Sequence, residues 1–256
     1  MQDDALSRDH VTSLERGLSV LEILAAHPRG LTLTEAAEKA GLTRAGARRF
    51  LLTLVATGYA TQAGRQFSLT PRLLSLARTW LQDTSLWSFA QPFMRQTATA
   101  LQESCSAAIL SGADAVYVAR VAGPRIISLD LQVGSRLPAY CTAMGRVLLA
   151  GLDPAAAEAT LSRAPLPRRT DKTLTDRQKI ADAVATARRD GYAVVDEELE
   201  IGLRSIAVPL HDRTGAVVAA INVSTQTARH SVAEMERDFL PLLQQTAARI
   251  ADFFVG

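Results

Sequence analysis

The sequence contains few of the residues that hold metal ions or form covalent cross-links. Among its 256 residues only two are cysteine, Cys105 and Cys141, and only four are histidine. The two thiols stand far apart without the spacing of a metal motif, and no pair of histidines has zinc spacing. We therefore expect no metal site and no disulfide, and we interpret both cysteines as small core side chains. The histidines are His10, His27, His211 and His230.

Long apolar runs are also missing. No segment approaches the roughly 18 consecutive apolar residues that a membrane helix needs. The first ten residues, MQDDALSRDH, lack the basic start and apolar centre of a secretory signal peptide. We therefore expect a cytoplasmic protein without membrane contact. With 48% apolar residues, the chain can still build the core of one large domain or of two modest ones.

The common catalytic and nucleotide-binding motifs are absent. We find no G-x-S-x-G nucleophile turn, no Walker A loop and no G-x-G-x-x-G after a predicted strand. This absence favours a binding or regulatory role over an enzyme, and we expect no cofactor.

One long stretch has no acidic residue at all. Between Glu38 and Asp83 there is neither Asp nor Glu, although the formal charge of the whole chain is only +2. Such an uneven distribution indicates an anionic partner for this segment, and double-stranded DNA is the partner that we expect. The cations of the stretch are Lys39, Arg44, Arg48, Arg49, Arg65, Arg72 and Arg78.

Two helices are predicted before the third, basic one. Leucines recur at helical spacing from Leu14 to Leu24, and we predict that Ser13 caps this first helix. Thr32 and Glu35 form a T-x-x-E capping box for a short second helix. A turn at Gly41 ends that helix.

The third helix completes a helix-turn-helix. Thr43 is its predicted cap, and the helix runs to about Thr57 and ends at Gly58. One face is apolar and the opposite face is basic, so the apolar face packs and the basic face is free. The apolar face consists of Ala47, Phe50, Leu51 and Leu54, and the other face of Ala45, Arg48, Arg49 and Leu52.

A hairpin follows, with predicted strands at 59–62 and 66–70 around Arg65. A helix-turn-helix followed by such a wing reads the major groove with its third helix and touches backbone or minor groove with its wing. The alternative is a solvated, arginine-bearing surface helix, which the coincidence of capped turn, acid-free stretch and hairpin disfavours. The candidate DNA contacts are Thr32, Thr43, Arg44, Ala45, Arg48, Arg49 and Arg65.

A helix is predicted from Pro71 to about Gln82, with apolar residues around more than one narrow stripe. Because a palindromic operator needs a dimer, this helix is a candidate subunit contact, and an ordinary buried helix is the alternative. We divide the chain into an N-terminal tail (1–10), a winged helix-turn-helix (11–70), a linker helix (71–84) and a larger domain (85–256).

The larger domain mixes strands and helices. Strands fall into two groups, so we predict an α+β domain with an antiparallel-rich sheet. A helical region contains Pro92, and a long terminal helix is capped by Ser231 and Glu234. The predicted strands are 106–111, 115–121, 126–133, 192–196, 203–210 and 216–225. Three helices start near Thr142, near Pro154 after Asp153, and near Asp176, where Thr175 and Gln178 form a predicted capping box.

Small polar residues alternate along the last strand, where Asn222 and Ser224 share a face with Ala220. Ser205 and Ala207 form a similar face, which is either solvent-exposed or the floor of a ligand pocket. The helix start at Thr142 offers free amides that suit a carboxylate, and plain N-capping is the alternative.

Four acidic residues crowd the segment 196–200. They could hold a divalent metal, but no histidine stands at motif spacing, so a solvated loop that pairs with Arg204 is favoured. The acidic residues are Asp196, Glu197, Glu198 and Glu200.

Four segments together resemble the IclR family of bacterial transcription regulators over nearly the whole chain. They are SLERGL (13–18) before the helix-turn-helix, VGSRLPAYCTAMGRVLLA (133–150), GYAVVDEELEIGLRSIAVPL (191–210) and AAINVST (219–225). The stretch LPAYCTAMGRVLLA, with LTR (42–44) and RRFLL (48–52), is similar more narrowly to the β-ketoadipate-pathway regulators. Those proteins control the catabolism of protocatechuate, 4-hydroxybenzoate and related aromatic acids.

The resemblance implies a GAF-like effector domain, homodimers or homotetramers, and repression or activation switched by a small organic acid. Val195 stands where a relative that binds a small acid carries Asp, and Ser205 and Asn222 replace Cys and Ser. The resemblance therefore implies a larger or more apolar effector, and we expect an aromatic acid or a catabolite of one. The implied effector contacts are Thr142, Ala143, Met144, Gly145, Val195, Ser205, Asn222 and Ser224.

The leading hypothesis is thus a sequence-specific transcription regulator that binds a palindromic site and a small carboxylate. Two alternatives come from other classes. A small-molecule enzyme with a helical N-terminal extension would show turnover without DNA binding. A scaffold protein would recruit partners through the terminal helix 232–255 and would not bind DNA by itself.

Overall fold

The structure is a computed structural model and describes residues 10–73, 75, 85–124 and 131–252. The chain divides into two compact units, Met1–Asp83 and Thr84–Gly256. The predicted tail (1–10) and most of the predicted linker helix (71–84) lie outside the described residues. Within the described part, no helix is both long and apolar enough to cross a membrane.

The N-terminal unit is the predicted winged helix-turn-helix. Its three strands form an antiparallel sheet in the order β1-β3-β2. The two-residue strand β1 was not predicted, because alternation needs a longer run to be visible. The elements are α1 (Thr12–Ala25), β1 (Leu31–Thr32), α2 (Leu33–Lys39), α3 (Arg44–Ala56), β2 (Ala60–Ala63) and β3 (Gln66–Leu69).

Local hydrogen bonds set the helix starts in this unit. The Thr43 hydroxyl accepts the amide of Gly46 at 3.1 Å, and Thr32 and Glu35 form the predicted capping box. The predicted cap at Ser13 is wrong, since α1 begins at Thr12 and the carbonyl of Val11 accepts the first amides. Ser13 therefore lies inside the first turn.

The buried stripe of α1 is shifted from the leucine spacing that predicted the helix. Leu14 and Leu18 are 62% and 52% exposed, whereas Val20 and Leu24 are buried. Val20 and Leu24 pack with Leu51 of α3 in the core of the unit. Burial of one such side chain contributes roughly 1.5–3 kcal/mol, so these contacts fix how α3 is rotated against α1.

The C-terminal unit is α+β, as predicted, around one six-stranded sheet of order β6-β5-β4-β9-β8-β7 in which all neighbours are antiparallel. Its strands are β4 (Ser104–Ser111), β5 (Asp114–Val121), β6 (Arg136–Pro138), β7 (Ala193–Asp196), β8 (Leu203–His211) and β9 (Val217–Gln226). Its helices are α4 (Ser85–Leu101), α5 (Ala143–Ala150), α6 (Pro154–Arg163), α7 (Arg177–Asp190) and α8 (Leu240–Ala251).

The sheet separates two apolar cores because its side chains alternate between its faces. Ile221 and Val223 point to the core shared with α4 and α8. Ala220 and Ala207 point to the opposite core, where Met144 of α5 packs. This three-layer arrangement is the predicted GAF-like architecture, and it places α5 against the small-residue face of β8 and β9.

Three details of the unit differ from the predictions. Of the predicted strand 126–133, residues 125–130 lie outside the described part, 131–133 are not a strand, and β6 follows instead. The predicted box of Thr175 and Gln178 is wrong, because Asp176 caps α7 and accepts the amide of Lys179 at 2.9 Å. A carboxylate is a better cap at the positive end of a helix than a hydroxyl one residue earlier.

The terminal helix is not continuous. Ser231 and Glu234 form the predicted capping box for a short turn, Val232–Glu234. A π-helical turn, Met235–Phe239, then joins it to α8. Met235 and Phe239 are buried against the sheet, so this extra residue per turn brings both side chains into the core.

Candidate functional site

The exposed face of α3 carries three arginines, Arg44, Arg48 and Arg49. Ala47 and Leu51 are fully buried on the opposite side of the helix, which fixes this face outward. In the described residues of the N-terminal unit, none of the three arginine side chains has a hydrogen bond or an ion pair. Their charges therefore remain available to an anionic partner.

The remaining candidate DNA contacts occupy the same unit. Ala45 is exposed beside the arginines, and Arg65 is exposed at the tip of the β2–β3 wing, next to Gly64 with its positive φ of 61°. The hydroxyls of Thr32 and Thr43 are already engaged in helix capping. The arginines, rather than the threonine hydroxyls, are thus the free polar groups of this surface.

The C-terminal unit contains a cavity between the sheet and the start of α5. Its empty volume is about 490 Å³, of which about 30 Å³ is wide enough for the centre of a water molecule, so it is narrow. Seven of the eight predicted effector contacts line it. The lining residues are Tyr117, Arg120, Leu131, Leu137, Cys141, Thr142, Ala143, Met144, Val195, Leu199, Leu203, Ser205, Asn222 and Ser224.

The floor of the cavity is the small-residue face of β8 and β9. Ser205 lies opposite Ser224, and Ala207 lies opposite Asn222. Asn222 is only 4% exposed. Of the two alternatives left open by alternation, a pocket floor is therefore what the structure shows, and the solvent-exposed face is wrong.

The start of α5 forms one wall. Thr142 caps the helix, accepting the Gly145 amide at 3.2 Å and donating to the Pro138 carbonyl at 2.9 Å. Ala143 and Met144 line the cavity, and amides in the first turn of a helix have no intrahelical acceptor. Gly145 does not line it, and its amide is already bonded to Thr142.

Arg120 is the cation of the cavity and was not among the predicted site residues. Its Nη1 donates to the Ser106 hydroxyl at 3.2 Å, and it forms no ion pair with a carboxylate of the described chain. Burial raises the pKa of Tyr117 to about 12 and that of the Cys141 thiol to about 11. Because both groups are neutral at physiological pH, the described lining carries a single positive charge.

A β-bulge brings Arg120 to the cavity. Ala119 pairs with Ala107 while Tyr117 pairs with Ala108, so Val118 has no partner on β4. The extra residue puts Tyr117 and Arg120 on one face although strict alternation assigns them to opposite faces. Sequence alternation alone therefore could not reveal this cation.

The acidic segment after β7 is bound by cations. Asp196 pairs with Arg204 at 2.7 Å, as predicted, and with Lys172 at 3.0 Å. Partial burial acts to raise the pKa of Asp196, but hydrogen bonds from Arg204 and Lys172 outweigh it and hold that pKa below its usual value. The prediction of a solvated loop is wrong for Glu198, which is buried against Arg146. No cluster of the described residues has the composition of a metal site.

An arginine-bearing winged helix-turn-helix and a domain with an enclosed, cationic cavity define a DNA-binding protein of the ligand-sensing class. Residues 13–64 match the IclR helix-turn-helix domain, and residues 78–252 match the C-terminal domain of the bacterial transcriptional regulator IclR. The chain belongs to the IclR family of bacterial transcription regulators. It is a regulator rather than an enzyme or a scaffold protein.

Individual relatives are similar over most of their length. The chain is 45% identical to the Pca regulon regulatory protein of Pseudomonas putida, over 92% of this chain and 81% of that one. It is 32% identical to the p-hydroxybenzoate hydroxylase transcriptional activator of Acinetobacter baylyi, over 96% and 92%. The crystal structure of an IclR homologue from Microbacterium hydrocarbonoxydans complexed with 4-hydroxybenzoate superposes with a TM-score of 0.82 at 26% identity, covering 94% and 98%.

Proposed function

We propose that this chain is a regulator whose affinity for its operator is set by an aromatic carboxylate bound in the cavity. The observation that carries the proposal is Arg120, a guanidinium without a carboxylate partner in an otherwise neutral lining. A buried or half-buried cation without a counter-ion is unfavourable, and a ligand carboxylate supplies the missing charge. The first amides of α5 face an anion favourably in the same cavity.

The shape and the walls of the cavity favour a flat ligand. Tyr117, Met144 and Val195 are buried apolar walls, and Leu137 and Leu199 complete them. A narrow apolar slot with a few polar groups is typical of small-molecule sites. The relative crystallised with 4-hydroxybenzoate and the relatives named for Pca and p-hydroxybenzoate regulation support an aromatic ring in this slot.

On the DNA side, the proposal assigns base contacts to the free face of α3 and backbone contacts to the wing. Arg44, Arg48 and Arg49 are long enough to fork onto guanine edges or phosphates in the major groove, with Ala45 closely packed between them. Arg65 contacts the backbone or minor groove. A palindromic operator needs two such surfaces, so the regulator acts as a homodimer or a homotetramer of dimers in the cytoplasm.

The test is a titration of the operator complex with ring carboxylates. We would follow the fluorescence anisotropy of DNA from the region upstream of the protein's own gene while adding benzoates, their neutral amides, or cyclohexane carboxylate. The carboxylates of flat rings should change the DNA affinity, and the amides and the non-planar acid should not. DNA affinity that is insensitive to every benzoate, together with no benzoate binding by calorimetry, would contradict the proposal.

A variant pair isolates the cation. Arg120→Met keeps much of the length of the side chain and removes its charge, so the response to benzoates should be lost while DNA binding without ligand is unchanged. Arg136→Met on the adjacent strand β6 is the matched control, because Arg136 is exposed and pairs with Asp114 at 3.1 Å. A normal benzoate response in the Arg120 variant would remove Arg120 from the site.

A further inference from the structure

Asn222 has an unused hydrogen-bond acceptor that faces the cavity. The side chain is 4% exposed and its Nδ2 donates to the Ser224 hydroxyl at 3.0 Å. Its Oδ1 is buried and has no partner among the described residues. A buried acceptor without a donor is unfavourable, so native sites that keep one usually satisfy it with a ligand or water.

The sheet around Asn222 does not supply the donor. Its neighbour on β8 is Ala207, which has no polar side-chain atom. Its neighbour on β4 is Ser106, whose hydroxyl is bonded to the guanidinium of Arg120. The donor for Oδ1 must therefore come from the cavity side.

The register also fixes where Asn222 stands relative to the cation. Asn222 lies opposite Ser106, and Ser106 lies opposite Arg120, so the three form one row across β9, β4 and β5. Two strand spacings separate the outer two Cα atoms by roughly 10 Å. The cavity thus has a cation at one end of this row and a bare acceptor at the other.

We propose that the effector is a hydroxylated aromatic carboxylate whose carboxylate binds Arg120 and whose ring hydroxyl donates to Asn222 Oδ1. This inference rests on the proposed function and adds the polarity of the far end of the ligand. A second carboxylate or a methyl ether at that end would place an acceptor against an acceptor. Asn222 is therefore a specificity-determining residue that selects hydroxy acids against dicarboxylates and ethers.

The experiment is a ligand-by-variant cycle measured by isothermal titration calorimetry on the full-length protein. Wild type and Asn222→Leu are each titrated with benzoate, 3-hydroxybenzoate, 4-hydroxybenzoate and 4-methoxybenzoate. Wild type should bind a hydroxybenzoate about tenfold or more tightly than benzoate or the ether, the size expected for one well-placed hydrogen bond to a buried group. Asn222→Leu should bind benzoate at least as tightly as wild type does and should lose the preference for the hydroxyl.

This crossing pattern separates recognition from a structural role, because a merely damaged cavity weakens all ligands together. Asn222→Ala serves as the second variant if the leucine variant does not fold, with the melting temperature of each checked first. A wild type that binds benzoate and the ether as tightly as the hydroxybenzoates would overturn the inference, and so would a hydroxyl preference that survives both substitutions. Binding of no benzoate at all by wild type would instead overturn the proposed function and this inference with it.

Discussion

Arg146 and Glu198 form an ion pair of 2.7 Å in which both side chains are more than nine-tenths buried. Arg146 also donates from Nε to the Tyr140 carbonyl at 3.2 Å, and the Glu198 carboxylate accepts the Leu174 amide at 3.1 Å. Arg146 belongs to α5, and Glu198 precedes the cavity residue Leu199. The pair therefore ties together two walls of the cavity.

Removal of one partner of this pair should be costly. Arg146→Met leaves the Glu198 carboxylate buried without its cation, and we expect a loss of about 3–5 kcal/mol in the free energy of unfolding. Urea denaturation followed by circular dichroism measures it. The double variant Arg146→Met/Glu198→Leu should recover much of the loss, because no buried charge is left unpaired.

An exposed pair in the same unit provides the control. Arg237 and Asp238 form an ion pair with side chains that are 68% and 50% exposed. Arg237→Ala should change the free energy of unfolding by no more than about 1 kcal/mol. Equal, small losses for the Arg146 and Arg237 variants would show that the buried pair is not structural.

The two kinds of proposed DNA contact predict different salt dependences. If Arg48 forks onto a base, Arg48→Ala should cost about 1–3 kcal/mol of binding free energy and relax the preference for the base at that operator position. Arg65→Ala on the wing should weaken binding to all sequences alike and lower the slope of log K against log salt by about 1. Anisotropy titrations at several salt concentrations measure both effects. The reverse pattern would exchange the two roles.

The helix starts were largely predictable because capping depends on residues three positions apart. Thr43, Asp153 and Ser231 each cap the helix that their position predicts. The errors at Ser13 and Thr175 are displacements of one or two residues, since polar residues close to a helix start compete for the same amides and sequence alone does not rank them.

The candidate site was predictable only where it follows regular alternation or the family resemblance. Ser205 and Asn222 line the cavity because β8 and β9 alternate without interruption at these positions. Arg120 was missed because a bulge precedes it, and bulges depend on the pairing partner rather than on the strand itself. The pairing of Arg146 with Glu198 spans 52 positions, so no local pattern could indicate it.

Acid should weaken the C-terminal unit in part through Asp196. Its pKa lies below the unfolded value because hydrogen bonds from Arg204 and Lys172 outweigh its partial burial. The ionised form is therefore the stabilising one, and its contribution is present above the unfolded pKa of about 3.9 and lost as the pH falls through the lower folded pKa. Asp196→Asn should lose about 1–2 kcal/mol at pH 7 and nothing near pH 2.

The measurement compares urea unfolding of wild type and Asp196→Asn between pH 7 and pH 2. Asp171→Asn is the control, since Asp171 is fully exposed and lies 3.8 Å from Arg168. That exposed pair should contribute little at any pH. A difference between wild type and Asp196→Asn that stays constant down to pH 2 would show that the carboxylate charge is not the cause.

Gly145 should not tolerate even a methyl group. A Cβ at this position would lie 2.2 Å from the Cα of Ala139 and 2.3 Å from its carbonyl oxygen, and backbone atoms cannot rotate aside as a side chain can. Helix propensity alone favours alanine over glycine by about 1 kcal/mol, so the two effects oppose each other. The clash should win, because overpacking a tight core costs about 1–3 kcal/mol and this contact is far below van der Waals separation. Gly145→Ala should thus unfold at lower urea concentration and weaken effector binding through displacement of Ala143 and Met144. Gly17→Ala in α1 is the matched control: there the new Cβ meets the Phe50 ring at an ordinary 3.6 Å, and propensity predicts a gain of about 1 kcal/mol. If both substitutions stabilise the protein, α5 does not pack against Ala139 as closely as the structure places it.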